Sequence, residues 1–120
     1  MNEKVLIVDD EPNIVMALEY ALKKKKYDVF IARDGDEAIE IVGKESPAMV
    51  LLDIMMPKVD GYEALQAIKK QKASTKVIFI SAKNKPEDVQ KGLDMGADAY
   101  FTKPFSIKKL ITEVEHLLKQ

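Results

Sequence analysis

Along the chain, short runs of uninterrupted apolar residues alternate with longer stretches in which apolar positions recur every three to four residues. Runs of the first kind suit strands buried on both faces, and stretches of the second kind suit amphipathic helices. The first run is Lys4 to Val8, after which Pro12 opens a helix whose Ile14, Leu18, Ala21 and Leu22 share one face. Lys23 to Lys26 close that helix. Cations suit the negative pole of a helix dipole, so these lysines read as a solvated helix end rather than a binding patch. A second strand is predicted over about Asp28 to Ala32. Asp34-Gly35 then turns into a helix with Ala38, Ile39 and Val42 on its inner side, ending before Pro47. Met49-Val50-Leu51-Leu52 leads into Asp53 as a third strand, followed by a helix from about Gly61 to Lys70 carrying Tyr62, Leu65 and Ile68. Val77 to Ile80 is the fourth strand, ending at Ser81 before the polar loop Ala82 to Lys85 and a helix begun by Pro86 and capped by Gly96. The last strand, Ala99 to Thr102, meets Lys103-Pro104. Ser106 then caps a helix with the stripe Ile107, Leu110, Ile111, Val114, Leu117 and Leu118.

Five strand–helix repeats with no composition break and no Gly/Ser-rich linker predict one α/β domain over residues 1–120. Right-handed crossovers between parallel strands make it a flavodoxin-like (βα)5 doubly wound sheet, with five parallel strands in the order 2-1-3-4-5. In such sheets ligands bind beyond the carboxyl ends of the strands where the order reverses, here between strands one and three. Those two strands end in Asp9-Asp10 and in Asp53.

Composition narrows the chemistry. The 120 residues suffice for one buried core; 47% are hydrophobic and 32% charged, with no run of about 18 apolar residues that would span a bilayer. A soluble protein without membrane contact is expected. The first strand follows Met1 too closely to leave room for a secretory signal, so the expected location is the cytoplasm. There is no cysteine and a single histidine, which excludes disulfides, thiolate catalysis and Cys- or multi-His metal sites. His116, late in the last helix, is expected to be exposed and without a phosphotransfer role. With 19 basic and 20 acidic residues the chain has no electrostatic footprint for direct nucleic-acid binding, and its partners are expected to be proteins.

The strand ends supply the candidate chemistry: Asp9, Asp10 and Glu11 after strand one, Asp53 after strand three, Ser81 after strand four and Lys103 after strand five. Three aspartates in one cleft repel by an amount on the order of a few kcal/mol per close pair, so either one is protonated or a cation compensates. A divalent cation is the simpler answer. Only oxygen donors are on offer, which favours Mg2+, with Mn2+ as the alternative. The loop after strand one is Asp-Asp-Glu-Pro rather than glycine-rich, and neither G-x-G-x-x-G nor G-x-x-x-x-G-K-[ST] occurs, so nucleotide and flavin readings lack their central feature. Phosphate chemistry that needs the metal remains. A carboxylate can attack phosphorus and carry an acyl phosphate if metal and Lys103 neutralise the charge, and the Ser81 hydroxyl can donate to a phosphoryl oxygen.

At this point the chain resembles the bacterial and archaeal response-regulator receivers of two-component signalling. The resemblance rests on Val5-Leu6-Ile7-Val8-Asp9-Asp10-Glu11-Pro12, Leu52-Asp53-Ile54-Met55-Met56-Pro57 with Asp60-Gly61, Ser81-Ala82, and Tyr100-Phe101-Thr102-Lys103-Pro104-Phe105. It runs from Val5 to the end of the last helix. It implies that Asp53 is the phosphoacceptor and a metal ligand, that Asp10 binds Mg2+ directly and Asp9 mostly through water, and that the Met55 carbonyl completes the protein ligands. Lys103 would pair with the phosphoryl oxygens, Ser81 and Tyr100 would form the switch pair, and Pro104 would follow a cis peptide. The implied donor is a sensor histidine kinase or a histidine phosphotransfer protein. The implied output is a downstream protein target read by the face of the fourth helix, fifth strand and fifth helix. Such a chain is not an enzyme in the usual sense; it is either a stand-alone receiver or the receiver part of a larger regulator.

Blander readings exist for each residue taken alone. Asp53 could be a helix-entry cap, Asp9-Asp10 a plain turn, Ser81 a local turn former and Tyr100 a packed aromatic. Their order along the chain, each at a strand end, favours the joint reading. Two other classes compete: a receiver-like module that binds partners without phosphorylation, and an aspartate-nucleophile phosphatase of the haloacid dehalogenase type. The second needs an acid two residues after the nucleophile, where this chain has Met55.

Overall fold

The computed structural model describes residues 2–119. Strands and helices alternate throughout: β1 (Lys4–Val8), α1 (Pro12–Lys24), β2 (Asp28–Ala32), α2 (Gly35–Glu45), β3 (Met49–Asp53), α3 (Gly61–Gln71), β4 (Lys76–Ser81), α4 (Pro86–Asp94), β5 (Ala99–Thr102) and α5 (Ile107–Leu118). The five strands are parallel and lie in the order β2-β1-β3-β4-β5, as the repeat pattern predicted.

Why the central strands are apolar at every position follows from their two faces. Successive side chains of a strand point to opposite sides. Leu6, Val8, Val50, Leu52, Val77 and Phe79 build one core with α2 and α3. Their neighbours Val5, Ile7, Met49, Leu51, Ile78 and Ile80 build the other with Leu18 and Leu22 of α1 and the stripe Leu110, Ile111, Val114 and Leu117 of α5. Ile39 of α2 departs from the expected inner face. It is half-buried and belongs to neither core, and Ile41 packs there instead. Ala38, Ile41, Val42 and Glu45 follow the helical repeat, whereas Ile39 lies one residue, about 100°, round from Ala38.

The helix ends behave as read. Pro12 and Pro86 begin α1 and α4, and the side chains of Asp34, Asp60 and Ser106 accept hydrogen bonds from the N–H groups of Glu37, Glu63 and Lys109. Gly96 stands at φ 112 just past the end of α4. Lys23 to Lys26 are all exposed, with Lys23 paired to Glu19 at 2.8 Å. At the amino-terminal edge of the sheet, Asp98 accepts from the Val77 N–H at 2.8 Å and from Lys69 Nζ at 3.1 Å, tying the starts of β4 and β5 to α3. No helix among the described residues is long and apolar enough to cross a membrane.

Candidate functional site

Strand register delivers the acidic residues to one place. Val8, the last residue of β1, pairs with Leu52 of β3, and Asp53 beyond it pairs with Ile80 of β4. Asp9, Asp53 and Ser81 therefore leave three adjacent strands side by side, and Lys103 follows Thr102, the β5 partner of Ser81. Oxygens of Asp9, Asp10 and Asp53 lie within 4.8 Å of one another; Asp9 and Asp53 are buried and Asp10 is exposed.

The close approach of α3 shapes the loop after Asp53. The Gly61 N–H donates to the Ile54 carbonyl at 2.8 Å, and a Cβ on Gly61 would stand 2.5 Å from Ile54 Cα and 2.6 Å from the Asp53 carbonyl oxygen. Only glycine admits that contact. The turn leaves the Met55 N–H donating to Asp53 Oδ1 at 3.2 Å, while the Met55 side chain is exposed beside Lys83 in a cleft of about 390 Å³. In the loop after β1 the Glu11 N–H donates to Asp9 Oδ1 at 2.9 Å.

Lys103 reaches into the acids. Its Nζ stands 2.9 Å from Glu11 Oε1, 3.0 Å from Asp9 Oδ2 and 3.4 Å from Asp53 Oδ2, with the side chain 12% exposed. Burial alone would lower this ammonium, but the close contacts with Glu11 and Asp9 and the charges of Asp53 and Asp9 outweigh it and hold Lys103 well above the usual lysine range. Asp53 is pushed up from 3.8 to about 6, by burial first and the Asp9 charge second, against the lowering pull of Lys103 and the Met55 N–H. The Lys103–Asp9 contact is not aligned as a hydrogen bond, so the buried Asp9 Oδ2 has a counter-charge but no donor.

These observations fit a hard divalent cation. The donors are carboxylate oxygens that converge, one of them buried without a hydrogen bond, and one ammonium faces Asp9, Asp53 and Glu11 together. Mg2+ held by Asp9, Asp10 and Asp53 suits that donor set.

Ser81 and Tyr100 are joined through one residue. The Lys83 N–H donates to Ser81 Oγ at 3.1 Å, and the Tyr100 hydroxyl donates to the Lys83 carbonyl at 2.8 Å. Ser81 is fully buried; the half-buried Tyr100 ring meets Phe79 edge-on, at 6.0 Å between centroids, and its phenol is raised above the usual range chiefly by burial. The ring lies against Gly92 of α4, where a Cβ would come within 2.9 Å of Tyr100 Cδ2. The Lys103–Pro104 peptide is cis, and His116 is exposed on α5.

Six of the seven singled-out positions thus lie at the carboxyl edge of the sheet or in the loops leaving it, and Tyr100 lies within β5, paired with Phe79. Two contributors were not assigned a role from sequence: the Glu11 carboxylate on Lys103 and the Lys83 backbone between Ser81 and Tyr100. Glu11 stands next to Asp10 and heads a helix, a signal that an acid is near the cluster but not of which way it points. A backbone bridge such as Lys83 leaves no trace in residue type.

The response regulator receiver domain model matches residues 5–115. The chain is 41% identical over 120 residues to the alkaline phosphatase synthesis transcriptional regulatory protein PhoP of Bacillus subtilis, covering 100% of this chain and 50% of that protein. It therefore spans about half the length of that relative. Among solved structures it is similar to the Francisella response regulator 1452 receiver domain, with 37% identity, a TM-score of 0.92 and 98% of both chains covered. It is also similar to the BeF3-activated N-terminal receiver domain of Klebsiella pneumoniae RstA, with 27% identity, a TM-score of 0.90 and coverage of 98% of this chain and 100% of that one.

Proposed function

The chain belongs to the response regulator receiver domains of two-component systems, and from that premise we propose that it accepts a phosphoryl group on Asp53 in a Mg2+-dependent reaction. The observation that carries this reading is the convergence of Asp53, Asp9, Asp10 and Lys103 at the switch point of the sheet. An Asp53 carboxylate oxygen attacks the phosphorus of a phosphohistidine, the P–N bond breaks, and the leaving imidazole takes up a proton. Asp9, Asp10, Asp53 and the Met55 carbonyl would hold Mg2+, which when bound would neutralise charge between the carboxylates and the incoming phosphoryl group; Mn2+ would suit the same donors. Lys103 moves from its carboxylate partners onto a phosphoryl oxygen, and the Ser81 hydroxyl donates to another.

Lys83 supports a route from that site to the surface. Ser81 turning its hydroxyl to the phosphoryl group gives up the Lys83 N–H, and the same residue's carbonyl holds Tyr100. Phosphorylation thereby shifts the balance between two settings of Tyr100 and of the α4-β5-α5 face, which a downstream protein reads. The donor is a sensor histidine kinase or a histidine phosphotransfer protein in the cytoplasm. The Bacillus subtilis relative is a transcriptional regulator; for this chain the output is a protein contact of the same receiver surface.

The domain acts as a phosphoacceptor and not as an enzyme with turnover, since Met55 occupies the place where an aspartate-based phosphatase needs a second acid. The test is to incubate the chain with Mg2+ and acetyl phosphate and follow its mass. The wild type gains one phosphoryl group, and Asp53→Asn does not. An equal gain in both variants overturns the assignment, and no gain in either favours a phosphorylation-independent binding module.

A further inference from the structure

We infer that Glu11 is a positioning residue that tethers Lys103 and so competes with the phosphoryl group for its ammonium. Glu11 Oε1 is the nearest carboxylate oxygen to Lys103 Nζ, at 2.9 Å against 3.4 Å for Asp53. Lys103 Nζ thus stands closer to Glu11 and Asp9 than to Asp53. Glu11 heads α1 at the N-cap position, yet its side chain makes no capping hydrogen bond. Its carboxylate oxygen is therefore turned to Lys103 and not to the free N–H groups of the first turn. The link between this loop and Asp9 runs through the Glu11 backbone N–H, which side-chain substitution leaves in place. The tether is half in solvent, with the Glu11 side chain 57% exposed against 12% for Lys103. An exposed contact of this kind is strong enough to hold a lysine and weak enough to be given up. When a phosphoryl group arrives, the ammonium exchanges Glu11 for a phosphoryl oxygen, and the cost of leaving Glu11 is subtracted from the affinity for that group.

This inference rests on the phosphoacceptor reading, and the experiment separates the two. Beryllofluoride, standing for the phosphoryl group, is titrated at saturating Mg2+ into the wild type, Glu11→Gln, Glu11→Asp and Asp53→Asn, followed by amide shifts; Mg2+ alone is titrated in parallel. Removing an exposed charge-assisted contact predicts binding about two- to fivefold tighter in Glu11→Gln. Glu11→Asp keeps the charge but shortens the reach, and it should tighten beryllofluoride in the same direction. Mg2+ alone should not bind more tightly to either variant, since the released ammonium stays beside Asp9 and Asp53. A Glu11→Asp protein that matches the wild type would mean that charge, and not the tether, matters, and would overturn the inference, as would no change in Glu11→Gln. Weakened binding of both probes would mark a structural lesion and overturn it too. Failure of the wild type itself to bind beryllofluoride, or binding by Asp53→Asn equal to it, strikes the phosphoacceptor reading instead.

Discussion

Replacing Asp53 with Asn in metal-free protein should stabilise the fold at neutral pH and do so less as the pH falls. Asp53 is 4% exposed, and burial followed by the Asp9 charge lifts it from 3.8 to about 6. A carboxyl group whose folded value lies above its unfolded one holds its proton more readily in the folded state. The folded state is therefore favoured where that proton is on, and between the two values stability falls as pH rises. Above about pH 6 the full penalty of the buried charge is present; below the unfolded value it has gone. At about 1.4 kcal/mol per tenfold change, the rise sets an upper figure of ~3 kcal/mol. Asp10 opens the cluster to solvent, and screening reduces this to about 1–2 kcal/mol. Asn keeps nearly the same shape, can still accept from the Met55 N–H and carries no charge. Urea unfolding with chelator present, followed by circular dichroism, should show Asp53→Asn more stable by about that amount near pH 7.5, with the gap closing towards pH 4. A variant no more stable than the wild type at neutral pH, or a gap that persists at low pH, refutes the account of Asp53 as a strained charge.

The same proton competes with the metal. The apparent Mg2+ affinity, read by calorimetry, should drop as the pH is lowered through about 6, and an affinity constant between pH 7.5 and 5 would contradict the raised Asp53. Gly61→Ala forces a Cβ against the Ile54 backbone and the Asp53 carbonyl, so it should cost about 1–3 kcal/mol in urea unfolding and slow phosphorylation by acetyl phosphate. Unchanged stability would mean that the loop after β3 yields freely. Gly92→Ala places a Cβ 2.9 Å from the Tyr100 ring and 3.0 Å from Phe79, so it should displace the Tyr100 ring resonances and lower stability by about 1–2 kcal/mol; ring signals left in place would show that Gly92 does not seat Tyr100.

The strand order and the gathering of Asp9, Asp10, Asp53, Ser81 and Lys103 at one edge were legible because they depend on alternation and topology alone. A parallel sheet whose strand order reverses between β1 and β3 brings the residues after those strands together whatever their side chains do next. Ile39 shows where that kind of legibility stops: apolar character placed it inward, and its position round the helix keeps it out of the core. Side-chain direction and backbone bridges are a further step removed. The Lys83 link passes through an N–H and a carbonyl that any residue there would carry, so no choice of residue could have announced it. Glu11 is the instructive case, because the acid was visible and its use was not. At the head of a helix an acidic side chain has two outlets, the free N–H groups of the first turn or a cation nearby. Lys103 comes from the opposite end of the chain and arrives only once β5 has docked beside β4. What decides the direction of Glu11 is thus a tertiary contact of long sequence separation, and its weight in the chemistry of Asp53 is a property of the assembled edge and not of the segment that contains it.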